Sequence, residues 1–188
     1  MTTRVIAANH STVKTQTLAT FAAVAAAVLL PQMFHVVGAA SGAENSYGQM
    51  FLPMYLPIIL VGLLAGPLVG AVSGLLAPLI SFGLTGMPPL VMLPFLTAEL
   101  VILGLVSGYL SSFKMPSIGK VVLAQLAGKA MFAFTVLLAV YVLGNQAVGA
   151  DNIVLSIKAG WPGLVLQWVL LPLIIFGVNI RTAQEERK

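Results

Sequence analysis

Two charged side chains, Glu99 and Lys129, lie deep inside apolar sequence, and any chemistry in this chain has to begin with them. An ionisable group at the centre of a membrane span costs about 2.5–3.5 kcal/mol on insertion scales, and such groups face the bundle interior and mark ligand or ion paths. On neighbouring antiparallel helices the two fall near mid-membrane, where they can pair or share a ligand. Gln125 precedes Lys129 by one helical turn on the same face. Gln167 sits in the outer half of the last apolar segment, His35 and Tyr55 lie near the outer ends of the first two, and Trp161 opens the last. Together these seven form the expected substrate-binding set: Lys129 takes an anionic group, and Glu99 and Gln125 orient it or Lys129. Each has a plainer reading. The charges can be an internal ion pair that fixes packing, although an apolar pair of similar volume is often as stable. His35 can be a satisfied structural group, and Tyr55 and Trp161 can be interfacial belt aromatics.

Catalysis finds few of its residues here. The chain has no cysteine, and within the membrane it offers one glutamate and one lysine, with no paired carboxylates or histidines. No catalytic residue and no metal ligand is therefore expected. A self-sufficient proton-coupled carrier using Glu99 and Lys129 as a relay is the alternative to a binding subunit, but secondary transporters usually show internal repeats and no convincing one is present.

Composition dictates the elements that must position these side chains. The 188 residues are 59% hydrophobic and 7% charged, with mean hydropathy +1.03, whereas about a quarter of a soluble domain is charged. Water could not solvate such a surface, so the lipid bilayer is the expected surrounding. The net charge of +4 is scattered at the ends of apolar segments and forms no stripe that could follow a phosphate backbone, so no nucleic-acid partner is expected. Apolar segments at residues 15–37, 51–66, 67–84, 90–112, 118–143 and 159–180 predict an all-α integral membrane domain of six transmembrane helices. A signal peptide at 15–37 is disfavoured because more membrane sequence follows. Residues 51–66 and 67–84 have little polar sequence between them and predict a tight hairpin. Thr85, Gly86, Met87, Pro88 and Pro89 break the helix before the fourth segment, since proline removes backbone donors. Arg4, Lys14, Lys114, Lys120, Arg181, Arg187 and Lys188 fall on one side of this arrangement and only Lys158 on the other. The positive-inside rule then puts both termini in the cytoplasm and the loops around Glu44, Thr85 and Asp151 outside.

Small residues make a second pattern. Ala19, Ala23 and Ala27 recur every four positions, and Gly62, Gly66, Gly70 and Gly74 repeat that spacing across Pro67. Both let another helix approach closely; for the glycines, packing within the chain is the expected use.

Over nearly its whole length the chain resembles the substrate-binding S components of energy-coupling factor (ECF) transporters, which bring vitamins into bacteria. The resemblance rests on size, six helices with cytoplasmic ends, the alanine stripe, Leu52-Pro-Met-Tyr-Leu-Pro57, Gly66-Pro-Leu-Val-Gly70, and Leu84-Thr-Gly-Met-Pro-Pro89 followed by Glu99-Leu100. It implies an S-component-like bundle in the bacterial plasma membrane. It also implies partners: a transmembrane coupling subunit, contacted through Ala19, Ala23 and Ala27, and two ATP-binding subunits. The turn at Thr85, Gly86, Met87 and Pro88 becomes a gate over a pocket open to the outside, and the whole subunit tips in the bilayer to release its vitamin inward. Related sequences carry histidine at Tyr55 and arginine at Lys129, so the ligand geometry differs, because lysine offers a point charge and arginine a planar fork. No Gly-x-x-x-x-Gly-Lys-Ser/Thr loop is present, so no cofactor is expected in this chain and ATP is used by the partners. A carboxylate-bearing ligand suits Lys129, which makes pantothenate the first expectation and cobalamin the second.

Overall fold

Apolar segments interrupted only by glycine, proline and short polar turns leave the backbone amides no partner except one another, and helices satisfy that demand. In the computed structural model, which describes residues 13–40 and 50–185, the chain forms α1 (Val13–Ala40), α2 (Tyr55–Ala65), α3 (Pro67–Thr85), α4 (Leu93–Ser111), α5 (Ser117–Leu137) and α6 (Asp151–Glu185). A π-helical turn, Leu138–Val142, prolongs α5. No strand occurs among the described residues. Five of these helices are long and apolar enough to cross a membrane. The chain is thus an all-helical, multi-pass membrane protein. Arg4, Glu44, Arg187 and Lys188, used above to orient it, lie outside the described residues, as do the side chains of His35 and Arg181.

The exception among the helices is α2. Its 11 residues measure about 16 Å, roughly half the hydrocarbon thickness. Residues 51–66 were expected to be one helix, but Leu52 adopts φ 45° and the helix starts only at Tyr55. Pro53 is the physical reason, since proline pushes the residue before it out of the helical region. What α2 lacks in length it makes up in burial. Ile58, Ile59 and Leu63 sit in the main core with Ala27, Ala77, Leu100, Leu103, Val121, Ala124, Leu171 and Ile175, so all five long helices contribute to the core in which α2 is buried.

Glycine sets the closest approaches. A Cβ on Gly70 would stand 2.3 Å from the Gly104 carbonyl oxygen, and one on Gly62 would stand 2.7 Å from the same atom. Backbone thus meets backbone where α2, α3 and α4 cross, which is the packing expected of the glycine run.

Three boundaries differ from the expected ones. Helix four begins at Leu93, after turn residues 90–92, so Glu99 lies six residues, about 9 Å, from its start. Helix six begins at Asp151 and already includes Lys158. Asp151 favours that start by placing a negative charge on the first turn, and Gly160 and Pro162 lie inside the helix, as the expected segment 159–180 had them. There Gly160 and Gly163 serve a packing need: a Cβ on Gly163 would be 2.5 Å from the Phe51 carbonyl. Finally, α1 runs on to Ala40 through Pro31.

One end of the bundle collects the basic residues. Val13 and Leu68 line one groove, Gly108 abuts Pro67, and Lys120 Nζ donates to the Ser111 carbonyl at 2.9 Å. Lys14, Lys114 and Lys120 therefore gather where α1, α3 and α5 begin and α4 ends. Lys120, one of the charges at the ends of the apolar segments, is 1% exposed, and it gives the C-terminus of α4 the cation that its dipole favours.

Candidate functional site

Tyr55 occupies the first turn of α2, immediately after the break, and is buried. Its hydroxyl donates to Glu99 Oε1 on α4. The same oxygen receives Lys129 Nζ from α5 at 2.9 Å. The Lys129 ammonium also lies 5.4 Å from the Tyr55 ring centroid and 5.6 Å from that of Phe132, within range of the attraction between a cation and a ring quadrupole. Glu99 is fully enclosed, and the Lys129 side chain is 12% exposed. Glu99 Oε2 is buried with no hydrogen-bond partner, which leaves a carboxylate acceptor open inside the protein. The pair predicted from sequence therefore forms, and Tyr55 belongs to it.

Gln125 and Gln167 belong to a second cluster. The Trp168 indole donates to Gln125 Oε1 at 2.6 Å, Gln125 Nε2 donates to Gln167 Oε1 at 3.0 Å, and Gln167 Nε2 reaches the carbonyls of Leu52 at 3.2 Å and Phe51 at 3.3 Å. These carbonyls lie at the break before α2, where a carbonyl in a membrane interior gains from a side-chain donor. Leu52 O also accepts the Tyr55 N–H at 3.0 Å, so the second cluster holds the very turn that presents Tyr55 to Glu99. Gln125 shares the face of Lys129, as expected, yet both ends of its amide are engaged by α6 and not by Lys129. Trp168 was missed. An indole well inside an apolar helix needs an acceptor, and that need was the signal that pointed to it. The consequence is measurable. Gln167→Leu strands Gln125 Nε2, at about 1–3 kcal/mol for a buried group left unsatisfied, and leaves the Leu52 carbonyl with the Tyr55 N–H as its donor. A clear drop in thermal unfolding temperature in detergent is expected; an unchanged temperature would mean that the chain of amides does not hold the turn.

The remaining expected residues fall elsewhere. Trp161 is 59% exposed on α6 and stands apart from both clusters. His35 lies on α1, and its side chain is outside the described residues. In the turn after α3, Gly86 takes φ 72° and closes the helix by donating its N–H to Phe82 O, while Thr85 Oγ1 accepts the Met87 N–H at 3.2 Å. This exposed turn, with Pro88, joins α3 to α4 at the end of the bundle opposite the lysines.

The alanine stripe turns inward. Ala27 is fully buried in the main core, and Ala23 packs with Val61 and Val69, with Ala19 beside them. The expected partner face is thus occupied by α2 and α3 of the same chain, while the exposed side of α1 carries Leu18, Phe21, Leu29, Met33 and Val36. A run of small residues permits close approach but does not say whose helix approaches.

A carboxylate and an ammonium thus meet among the helices of a multi-pass membrane protein. The model of the family "ECF transporter, substrate-specific component" matches residues 15–179, and the chain belongs to that family. It is accordingly the substrate-specific subunit of an ECF transporter, a transport-binding subunit and not an enzyme, and family membership implies association with an ECF module. No curated protein and no solved structure matches the chain significantly.

Proposed function

We propose that the chain is the high-affinity vitamin-binding subunit of an ATP-driven importer and that the Tyr55–Glu99–Lys129 cluster is its substrate site. The observation that carries this reading is the ion pair, in which the Glu99 side chain is fully enclosed and the Lys129 side chain keeps 12% exposure. A pair kept merely for packing gains little over apolar residues of the same volume. Pantothenate is the first choice of substrate, because its carboxylate suits Lys129. Cobalamin is second. The module consists of a transmembrane coupling subunit and two ATP-binding subunits, which hydrolyse ATP and reset the cycle. The setting is the bacterial plasma membrane, with both termini in the cytoplasm; the lysines gathered at one end of the bundle support that orientation. The inward-facing Ala19, Ala23 and Ala27 are no part of this proposal. The turn from Thr85 to Pro88 acts as a gate, a role its exposed position at the other end supports.

The test is the small-molecule content of the purified protein, denatured and read by mass spectrometry. A stoichiometric vitamin is expected. Protein that is empty, gains no thermal stability from a vitamin panel, and transports when reconstituted without ATPases would favour the proton-coupled carrier instead.

A further inference from the structure

Glu99 and Lys129 differ in exposure. The Glu99 side chain is fully enclosed, whereas the Lys129 side chain keeps 12% exposure and its ammonium lies 5.4 and 5.6 Å from the ring centroids of Tyr55 and Phe132. A ligand therefore meets the Lys129 side chain before it meets Glu99. In the structure, Glu99 Oε1 serves both Lys129 and Tyr55, and Oε2 is enclosed without a hydrogen-bond partner. The charges of the pair cancel, so an arriving anion brings a charge that nothing in the site balances.

The helices packed against α4 supply no second cation. From α2 the titratable group is Tyr55, which already donates to Glu99, and α3 has none. On α5, Lys120 is committed to the Ser111 carbonyl at the basic end, which leaves Lys129. Farther off, Lys14, Asp151 and Lys158 are exposed. Among the described residues, then, one ammonium would have to serve two carboxylates in a buried site, and an uncompensated buried charge is the arrangement proteins tolerate least.

We infer that the substrate is an anion and that its capture is coupled to uptake of one proton by Glu99. This rests on the reading of the cluster as the substrate site. The ligand's anionic group takes Lys129 from Glu99, a proton from water settles on Glu99, and Tyr55 continues to donate to the other oxygen. One anion and one proton enter, nothing leaves, and the buried charge stays balanced. A neutral ligand offers Lys129 no better partner than Glu99, so the placement of the ammonium favours the anion.

The test is calorimetric titration of the purified protein in paired buffers of different ionisation enthalpy, across pH. The probes are pantothenate, its neutral alcohol analogue pantothenol, and a panel of other anionic and neutral vitamins. The expected result is an anionic ligand bound with uptake of about one proton, with affinity rising about tenfold for each unit the pH falls while Glu99 is ionised in the empty site. Glu99→Gln, which keeps the side chain neutral, should abolish the uptake and flatten the pH profile. Binding of an anion without proton uptake by the wild type, or binding confined to neutral ligands, overturns the inference and leaves the substrate site standing. If no probe binds at any pH, the substrate-site reading fails and takes the inference with it.

Discussion

Lys129→Met is expected to weaken vitamin binding by about 2–5 kcal/mol, roughly thirtyfold to several-thousandfold in Kd, because it removes the cation of a buried, hydrogen-bonded pair. The same change also affects stability. With Lys129 gone, the enclosed Glu99 loses its ion-pair partner, and breaking such a pair from one side costs about 3–5 kcal/mol while the remaining group stays charged. A loss of binding by the single variant could therefore be a folding defect. The double variant Glu99→Gln/Lys129→Met separates the two effects. Its site holds no charge, Tyr55 can still donate to the amide oxygen, and thermal stability should return close to that of the wild type. Binding should not return. If the double variant recovers both, the pair is a packing device and the substrate sits elsewhere; if Lys129→Met alone binds normally, Lys129 leaves the site.

The pair was legible in the sequence because the bilayer makes charge rare: with 7% charged residues, two ionisable groups inside apolar segments are conspicuous, and antiparallel neighbours at similar depth have to meet. The role of Tyr55 was harder to read. Its partner is fixed by the break at Leu52 and Pro53, which shortens α2 and turns Tyr55 inward. Proline made a break there readable, but that Gln167 would donate to the carbonyls at it depends on the packing of α6, more than a hundred residues away in sequence. Gln125 and Gln167 were rightly singled out as polar groups in apolar surroundings, but the pattern could not say whether a ligand or a neighbouring helix would occupy their amides. The alanine stripe shows the same limit. Spacing specifies a smooth face, and the neighbour it receives is a property of the whole bundle. Helix existence was similarly secure and helix ends were not: Asp151 and Lys158 read as a polar loop although they lie on the first turns of α6.

Gly104→Leu is expected to cost about 3 kcal/mol or more, at or above the usual range for overpacking, and to abolish recovery of folded, monodisperse protein. A Cβ at this position would lie 2.1 Å from the Gly70 carbonyl oxygen and 2.4 Å from its carbon. Both contacts are with backbone, so no change of rotamer relieves them and α3 must move off α4 along the most extensive helix pairing in the bundle. Gly83→Leu on α3 is the control. A Cβ there meets nothing within 4 Å, and an added leucine on an exposed membrane helix is in keeping with its surroundings, so unfolding temperature should barely change. A gentler variant connects the packing to the site. The Cβ of Gly74→Ala would stand 2.2 Å from the carbonyl oxygen of Leu100, the residue after Glu99, so relieving the contact has to shift the turn of α4 that carries the carboxylate. The expected outcome is a clear fall in stability together with a still larger loss of ligand affinity, read on the same preparation by thermal unfolding and calorimetry. Equal losses in both would mean that the α3–α4 contact supports the fold without setting the position of Glu99.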